Sequence, residues 1–422
     1  MKPPTIRKEG DAIIYHWPTP DSVEIEIDNI HRKGDDWLCW MAVRTRAPGM
    51  APHLSEGSHN LGAMQSRTAL SRHLETRMPL GNRPGLPDWA SYLEMACVLT
   101  VRGEKEGQPF TKVGNLPPDQ RHDFWLVEPL VRIGHPTIIF GDGGTGKSTL
   151  AALIASCVVS GIAMGGFTPS YQGPVLWLDW ETDREEVDQT IKLLREGHDV
   201  EIPEFIYRRE VLPLYLTAHQ ARKIIDREGV TMTVVDSVGY AFGGKPDEEV
   251  GLRFFSAVRA LNCTSLLLDH VVKAESGGKP IGTVYKHNEA RLTFELKATH
   301  AANEMHVGVY QRKANRGGFT PPFGLRVEFG ENHIRYGREE IREAELVKGL
   351  NQRDQVERAL GVGDLMTAGD ISTLTGIPEQ SVKARLSELV KADKARVFPT
   401  VGTGHARRYA LLSERDDAEA AG

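Results

Sequence analysis

The residues best suited to chemistry stand together at 141–148, where GDGGTGKS sets Gly141, Gly146, Lys147 and Ser148 at the spacing G-x-x-x-x-G-K-S. Glycines there let successive backbone N–H groups converge on one anion, and a helix beginning at the lysine adds positive potential at its first turn. The run Gly141, Asp142, Gly143, Gly144, Thr145, Gly146, Lys147, Ser148 and Thr149 is therefore expected to cradle a triphosphate. In that reading Lys147 reaches the β- and γ-phosphates and the Ser148 hydroxyl ligates Mg²⁺, so the expected ligands are ATP and Mg²⁺.

Hydrolysis also needs a carboxylate on the metal side and a group that orients the attacking water. Asp236 closes the apolar run TMTVVD and is the expected metal-side residue. Glu181 follows the run PVLWLDW and is expected at the tip of the strand next to the loop's strand, placed to polarise water as a general base. Asp179, two residues earlier, competes for that role, and ETDREEV also reads as the acidic opening of a helix, which would give Glu181 a merely local job. His270, after SLLLD, is a candidate sensor of the γ-phosphate.

These residues need strands to hold them, and the runs 136–140, 174–180, 231–236 and 264–269 alternate with stretches of helix length. Continuous aliphatic strands separated by helices are the pattern of a parallel sheet buried on both faces. The expected fold class is thus α/β, with a phosphate-loop core over 119–340. Residues 1–118 read as a small α+β unit of unknown role, with strands at 12–17, 23–27 and 37–45 and helices at 66–78 and 87–101. Its Trp37, Trp40 and Tyr92 are expected as core aromatics, with a base-stacking face as the alternative. GNLPPDQRH (114–122) is the expected linker. Residues 345–413 read as helices around a glycine turn followed by two strands, and 414–422 as a frayed acidic tail.

The succession GDGGTGKST, VLWLDWETD, TVVDS, LLLDHVVK and RKANRGG resembles the RecA-like ATPase core of the RepA-type hexameric replicative helicases and related phage or plasmid ATPases. The resemblance implies a homo-oligomer, a ring of about six, in which Lys313 and Arg316, with Arg312 in reserve, reach from a turn into the neighbouring subunit's nucleotide site. It also implies that Lys279, Tyr285, Lys286 and His287, in the loop after His270, hold single-stranded DNA. That loop reads GTVYKHNEAR where the family has small residues. The last unit resembles a winged helix-turn-helix, with Gln380, Ser381, Lys383 and Arg385 toward a DNA groove and Arg407 and Arg408 on phosphates.

Composition sets the outer bounds. The chain has 422 residues, 40% hydrophobic and 26% charged, with a net charge of −6, so contact with nucleic acid has to be local rather than global. Cys39, Cys97, Cys157 and Cys263 are spaced singly and suggest reduced thiols. No apolar run is long enough to span a membrane, and MKPPTIRKEGD lacks a leader pattern, so no membrane partner and a cytoplasmic location are expected. Two further readings share these features: a RecA-like recombinase or helicase-loading ATPase without unwinding, and a DNA-binding regulator that only senses nucleotide.

Overall fold

The computed structural model describes residues 3–9, 12–18, 22–46, 51–77, 87–107, 112, 125–244, 248–270, 289–315, 320–341, 344–347, 349–362, 365–392, 394–398 and 407–411. The 114–122 linker, Lys279, Tyr285, Lys286, His287, Arg316 and the acidic tail lie outside the described residues.

The N-terminal unit is an antiparallel meander of β1 (Thr5–Glu9), β2 (Ala12–Trp17), β3 (Val23–Lys33), β4 (Asp36–Thr45) and β5 (His53–Asn60), in that spatial order. Helices α1 (Met64–Thr76) and α2 (Trp89–Glu106) follow, and α2 is opened by Asp88, whose side chain accepts from the Ser91 N–H at 3.1 Å. Val23, Ile25 and Ile27 alternate inward along β3 and meet Leu70, Leu74, Trp89, Leu93 and Cys97 of the helices. The aromatic trio is divided. Tyr92 is in this core, edge-on to Trp17 at 4.8 Å, whereas Trp40 is 45% exposed and donates from Nε1 to Glu56 at 2.9 Å. Period-two alternation decides the matter, because Trp40 points away from its buried neighbours Cys39 and Met41.

The central sheet has nine strands. After a short hairpin of β6 (Trp125–Val127) and β7 (Val131–Arg132), the chain runs through β8 (Pro136–Gly141), α3 (Lys147–Ser160), β9 (Val175–Asp179), α4 (Arg184–His198), β10 (Ile206–Arg209), α5 (Leu214–Glu228), β11 (Met232–Asp236), α6 (Val238–Ala241), α7 (Glu248–Ala260) and β12 (Thr264–His270). It ends in β13 (Leu292–His300), β14 (Glu304–Ala314), β15 (Phe323–Phe329) and β16 (Ile334–Glu339). The order is β10-β9-β11-β12-β8-β13-β14-β15-β16, parallel as far as β13 and antiparallel beyond it. One apolar layer joins the sheet to α3 and α4, and a second joins it to α5, α6 and α7. Strands covered on both faces have no polar side, which is why β9, β11 and β12 read as unbroken aliphatic text.

One expectation is corrected by this order. The strand carrying Glu181 is not the neighbour of the loop's strand, because β12 and β11 stand between β8 and β9. The crossover after β8 passes over two positions that the chain fills later. The neighbour of β8 on that side is β12, which ends in His270.

The N-terminal sheet also touches the central unit. Asp28 of β3 meets His219 of α5 at 3.1 Å, and Glu26 meets Lys223 at 2.9 Å. Beyond α8 (Ala344–Val347), the C-terminal unit comprises α9 (Gln352–Val362), β17 (Met366–Thr367), α10 (Ala368–Thr375), α11 (Glu379–Lys391), β18 (Ala395–Phe398) and β19 (Arg408–Leu411), with sheet order β17-β19-β18. A reciprocal cap of Thr367 and Asp370 starts α10, and Gly376 at φ +73° ends it. Val382, Leu386 and Leu389 form the buried stripe of α11, as its spacing predicts. All four cysteines are free thiols, pushed up to about 12 by burial. No described helix is long and apolar enough to cross a membrane.

Candidate active site

The chemistry-bearing residues converge at the carboxyl ends of β8, β9, β11 and β12, the edge where open parallel sheets bind ligands. Gly141 lies in register with His270 on one side and Leu296 on the other. A Cβ there would stand 2.7 Å from the Leu296 carbonyl and 2.8 Å from Thr145 Oγ1, so glycine is required by close packing of backbone. Gly144 and Gly146 have φ of +77° and +78°, which bends the loop back onto the start of α3. Thr145 ties the loop internally, its hydroxyl donating to the Asp142 carbonyl at 2.9 Å.

Lys147 is buried, and its ammonium donates to the carbonyls of Gly141 at 3.0 Å and Asp142 at 2.8 Å. Burial holds it below the ordinary lysine range, while Glu181, Asp236, Asp142 and Asp269 pull the other way. The ammonium is thus held over the loop by backbone carbonyls, with carboxylates near enough to favour its charge.

Asp236 is 3% exposed, and Ser148 lies beside its carboxylate. Among the described residues nothing hydrogen-bonds its Oδ2. A buried, unpartnered carboxylate oxygen is costly and marks a place for a cation. One carboxylate and one hydroxyl beside a phosphate loop match the way Mg²⁺ is held, through few protein groups with phosphate oxygens and water completing the shell. Ser148 and Asp236 therefore fit the metal.

Burial raises Asp236 to about 6, with Glu181 and Asp179 adding to the shift and Ser148 and Lys147 opposing it. Because the folded value exceeds the unfolded one, folding takes up a proton between pH 3.8 and about 6. In metal-free buffer this contribution to stability is present below pH 3.8 and lost as pH rises through 6, a change on the order of 3 kcal/mol. Asp236→Asn is expected to remove that slope from melting curves taken across this range.

Glu181 faces His270, Oε2 to Nε2, at 3.3 Å. The acidic residues on either side of it are engaged in different work. Asp179 is fully buried and its oxygens are filled by donors: the N–H groups of Glu181 and Thr182 at 2.8 and 2.9 Å, the Thr182 hydroxyl at 2.8 Å, the Tyr207 hydroxyl at 2.9 Å and Arg209 at 3.2 Å. The helix-opening job falls to Asp183, which accepts from the Glu186 N–H at 2.9 Å, so Glu181 lies before α4 rather than in it. Tyr207 and Arg209 were not legible as site residues, because the edge strand IYRR carries no motif.

Lys313 lies elsewhere. It is inside β14, not on the following turn, and pairs with Thr293, itself beside Ile138. It therefore sits toward the start of β8, about 10 Å of strand from Gly141. Burial holds Lys313 below the ordinary lysine range, with Arg291 adding and Glu289 opposing. Arg312 is not a reserve cation: it binds Glu295 at 2.7 Å and the Gly349 carbonyl at 3.0 Å, and packs on the Tyr310 ring.

On α11, Gln380 and Lys383 are exposed, and Ser381 and Arg385 are half-buried. Lys383 pairs with Glu379 at 2.7 Å and Arg385 with Glu388 at 2.8 Å, while Lys394 pairs with Glu357 at 2.7 Å. Several of the basic side chains expected toward DNA are thus already paired with carboxylates of the same unit. Arg407 and Arg408 are exposed at the start of β19.

Residues 104–276 match the protein family described as AAA domain. No curated protein sequence matches the chain. Among solved structures it is similar to the crystal structure of KaiC-like protein PH0186 from the hyperthermophilic archaeon Pyrococcus horikoshii OT3, with 16% identity over 50% of this chain and 93% of that one and a TM-score of 0.36. The loop at 141–148, Glu181, Asp236 and His270 all fall within the matched stretch.

Proposed function

We propose that this chain hydrolyses ATP with Mg²⁺ and couples the cycle to DNA binding or translocation in DNA replication, in the manner of the RepA-like replicative helicases. The observation that carries the catalytic half is the meeting of Lys147, Ser148, Asp236, Glu181 and His270 at one sheet edge, with an unpartnered carboxylate oxygen beside the serine. Loop amides and Lys147 bind the β- and γ-phosphates, and Ser148 with Asp236 holds the metal. Magnesium, when bound, offsets charge on the phosphate oxygens. Glu181 accepts the proton of the attacking water. His270, hydrogen-bonded to Glu181, registers the state of the γ-phosphate and passes it to the segment that follows β12.

A ring or filament is what the resemblance to the hexameric helicases implies; Lys313, on β14 and level with the start of β8, acts in that reading on a second copy's nucleotide. DNA contact is favoured by the helix, strand, helix, helix, strand, strand order of the C-terminal unit, which is similar to that of winged helices. There Gln380, Ser381, Lys383, Arg385, Arg407 and Arg408 meet DNA, and Lys279, Tyr285 and Lys286 contact the single strand in the ring.

The test is ATP turnover and strand separation on a forked duplex. The expected result is DNA-stimulated hydrolysis with unwinding. Stimulated hydrolysis without unwinding would instead favour a recombinase or loader, and nucleotide binding without turnover would favour a regulator.

A further inference from the structure

The turn that presents Glu181 is fastened from beneath by a group with no place in the phosphate chemistry. We propose that Asp179 is a positioning residue for Glu181, itself held by Tyr207 and Arg209 of the edge strand β10. This rests on the reading of Glu181 as the general base.

One oxygen of Asp179 accepts two consecutive amides, those of Glu181 and Thr182, at 2.8 and 2.9 Å, which fixes the backbone on either side of the Glu181 carbonyl. The other accepts the hydroxyls of Thr182 and Tyr207 at 2.8 and 2.9 Å. Arg209 adds a cation at 3.2 Å, so the fully buried charge is both hydrogen-bonded and paired. The residue before Glu181 is fastened as well: the Trp180 N–H donates to the Asp236 carbonyl at 2.6 Å, and its indole donates to the Leu212 carbonyl at 2.8 Å.

Backbone pairing already sets the register of β9 against β10 and β11, so the ladder itself does not call for a carboxylate at this strand tip. Five donors converging on one carboxylate immediately before the base do. A base that works through one water has to be held to a fraction of an ångström, and a rigid outer support is what supplies this. Because Tyr207 and Arg209 belong to β10, the edge of the sheet becomes part of the device that aims Glu181 at His270 and the loop.

The experiment measures turnover by the full chain alongside affinity for a slowly hydrolysed ATP analogue with Mg²⁺. Asp179→Ala is expected to lower kcat about 30- to 100-fold while leaving analogue affinity within about twofold. Asp179→Asn is expected to stay within about fivefold of the parent, because its amide oxygen still accepts both N–H groups and the hydroxyls of Thr182 and Tyr207 can turn to accept from its NH₂. In a Glu181→Gln background, Asp179→Ala is expected to cost nothing further, since there is no base left to aim. An equal loss in that background, or a fall in affinity parallel to kcat, would overturn the proposal. Should Asp179→Ala fail to fold, Tyr207→Phe and Thr182→Ala each remove one donor and are expected to lower kcat about 3- to 10-fold only when Glu181 is present. Unchanged kcat in both would overturn it. Wild-type turnover by Glu181→Gln alone would overturn the base assignment and with it this proposal, a result read before Asp179 is touched.

Discussion

Replacing Lys147 with alanine is expected to lower affinity for Mg²⁺ and ATP at least about 100-fold, or about 3 kcal/mol, and to remove turnover with it. The reason lies in the charges around the loop. Glu181, Asp236, Asp142 and Asp269 all act on the Lys147 ammonium, and without that cation a triphosphate would enter a pocket walled by carboxylates. The variant should fold. Burial disfavours the ammonium, but its removal also takes away two hydrogen bonds to the loop and the cation beside four carboxylates, so only a modest change in melting temperature is expected. Calorimetric titration and thermal melting of the same sample read both quantities, and wild-type ATPase activity in this variant would remove the phosphate-loop assignment.

The second large effect is expected at Glu181. Its replacement by glutamine keeps shape and the hydrogen bond to His270 but removes the proton acceptor, so kcat is expected to fall about 10²- to 10⁴-fold. Affinity for nucleotide should stay within about twofold, because the proposed grip on the phosphates comes from the loop amides, Lys147 and Ser148 rather than from Glu181. Binding without hydrolysis is thus the expected signature. Normal turnover would return the search to other carboxylates at this edge, from which Asp179 is excluded by its filled oxygens.

The sequence was most informative where burial is complete. Strands β8, β9, β11 and β12 have both faces covered, and aliphatic runs have little other use in a chain of this composition. Spacing alone marked out the loop at 141–148, whose glycines the structure places where the backbone turns tightly onto α3. Partial burial hid the rest. β1 is exposed along its whole length and β5 mixes His, Ser and Gly on a half-buried edge, so neither reads as a strand. The same weakness concealed β10 and with it the support under Glu181. Strand order was equally out of reach, because nothing in the text of β9 says that two later strands will come between it and β8. Lys313 was misplaced because polar residues continue β14 past its apolar run.

Amides at 141–148, Lys147, Ser148 and Asp236 are together expected to hold a magnesium nucleotide. Isothermal titration of the full chain with a slowly hydrolysed ATP analogue tests it most directly. About one saturable site per chain is expected, dependent on Mg²⁺ and abolished by Lys147→Ala. Titration with no heat at any Mg²⁺ concentration, or equal heat from the Lys147 variant, would contradict it.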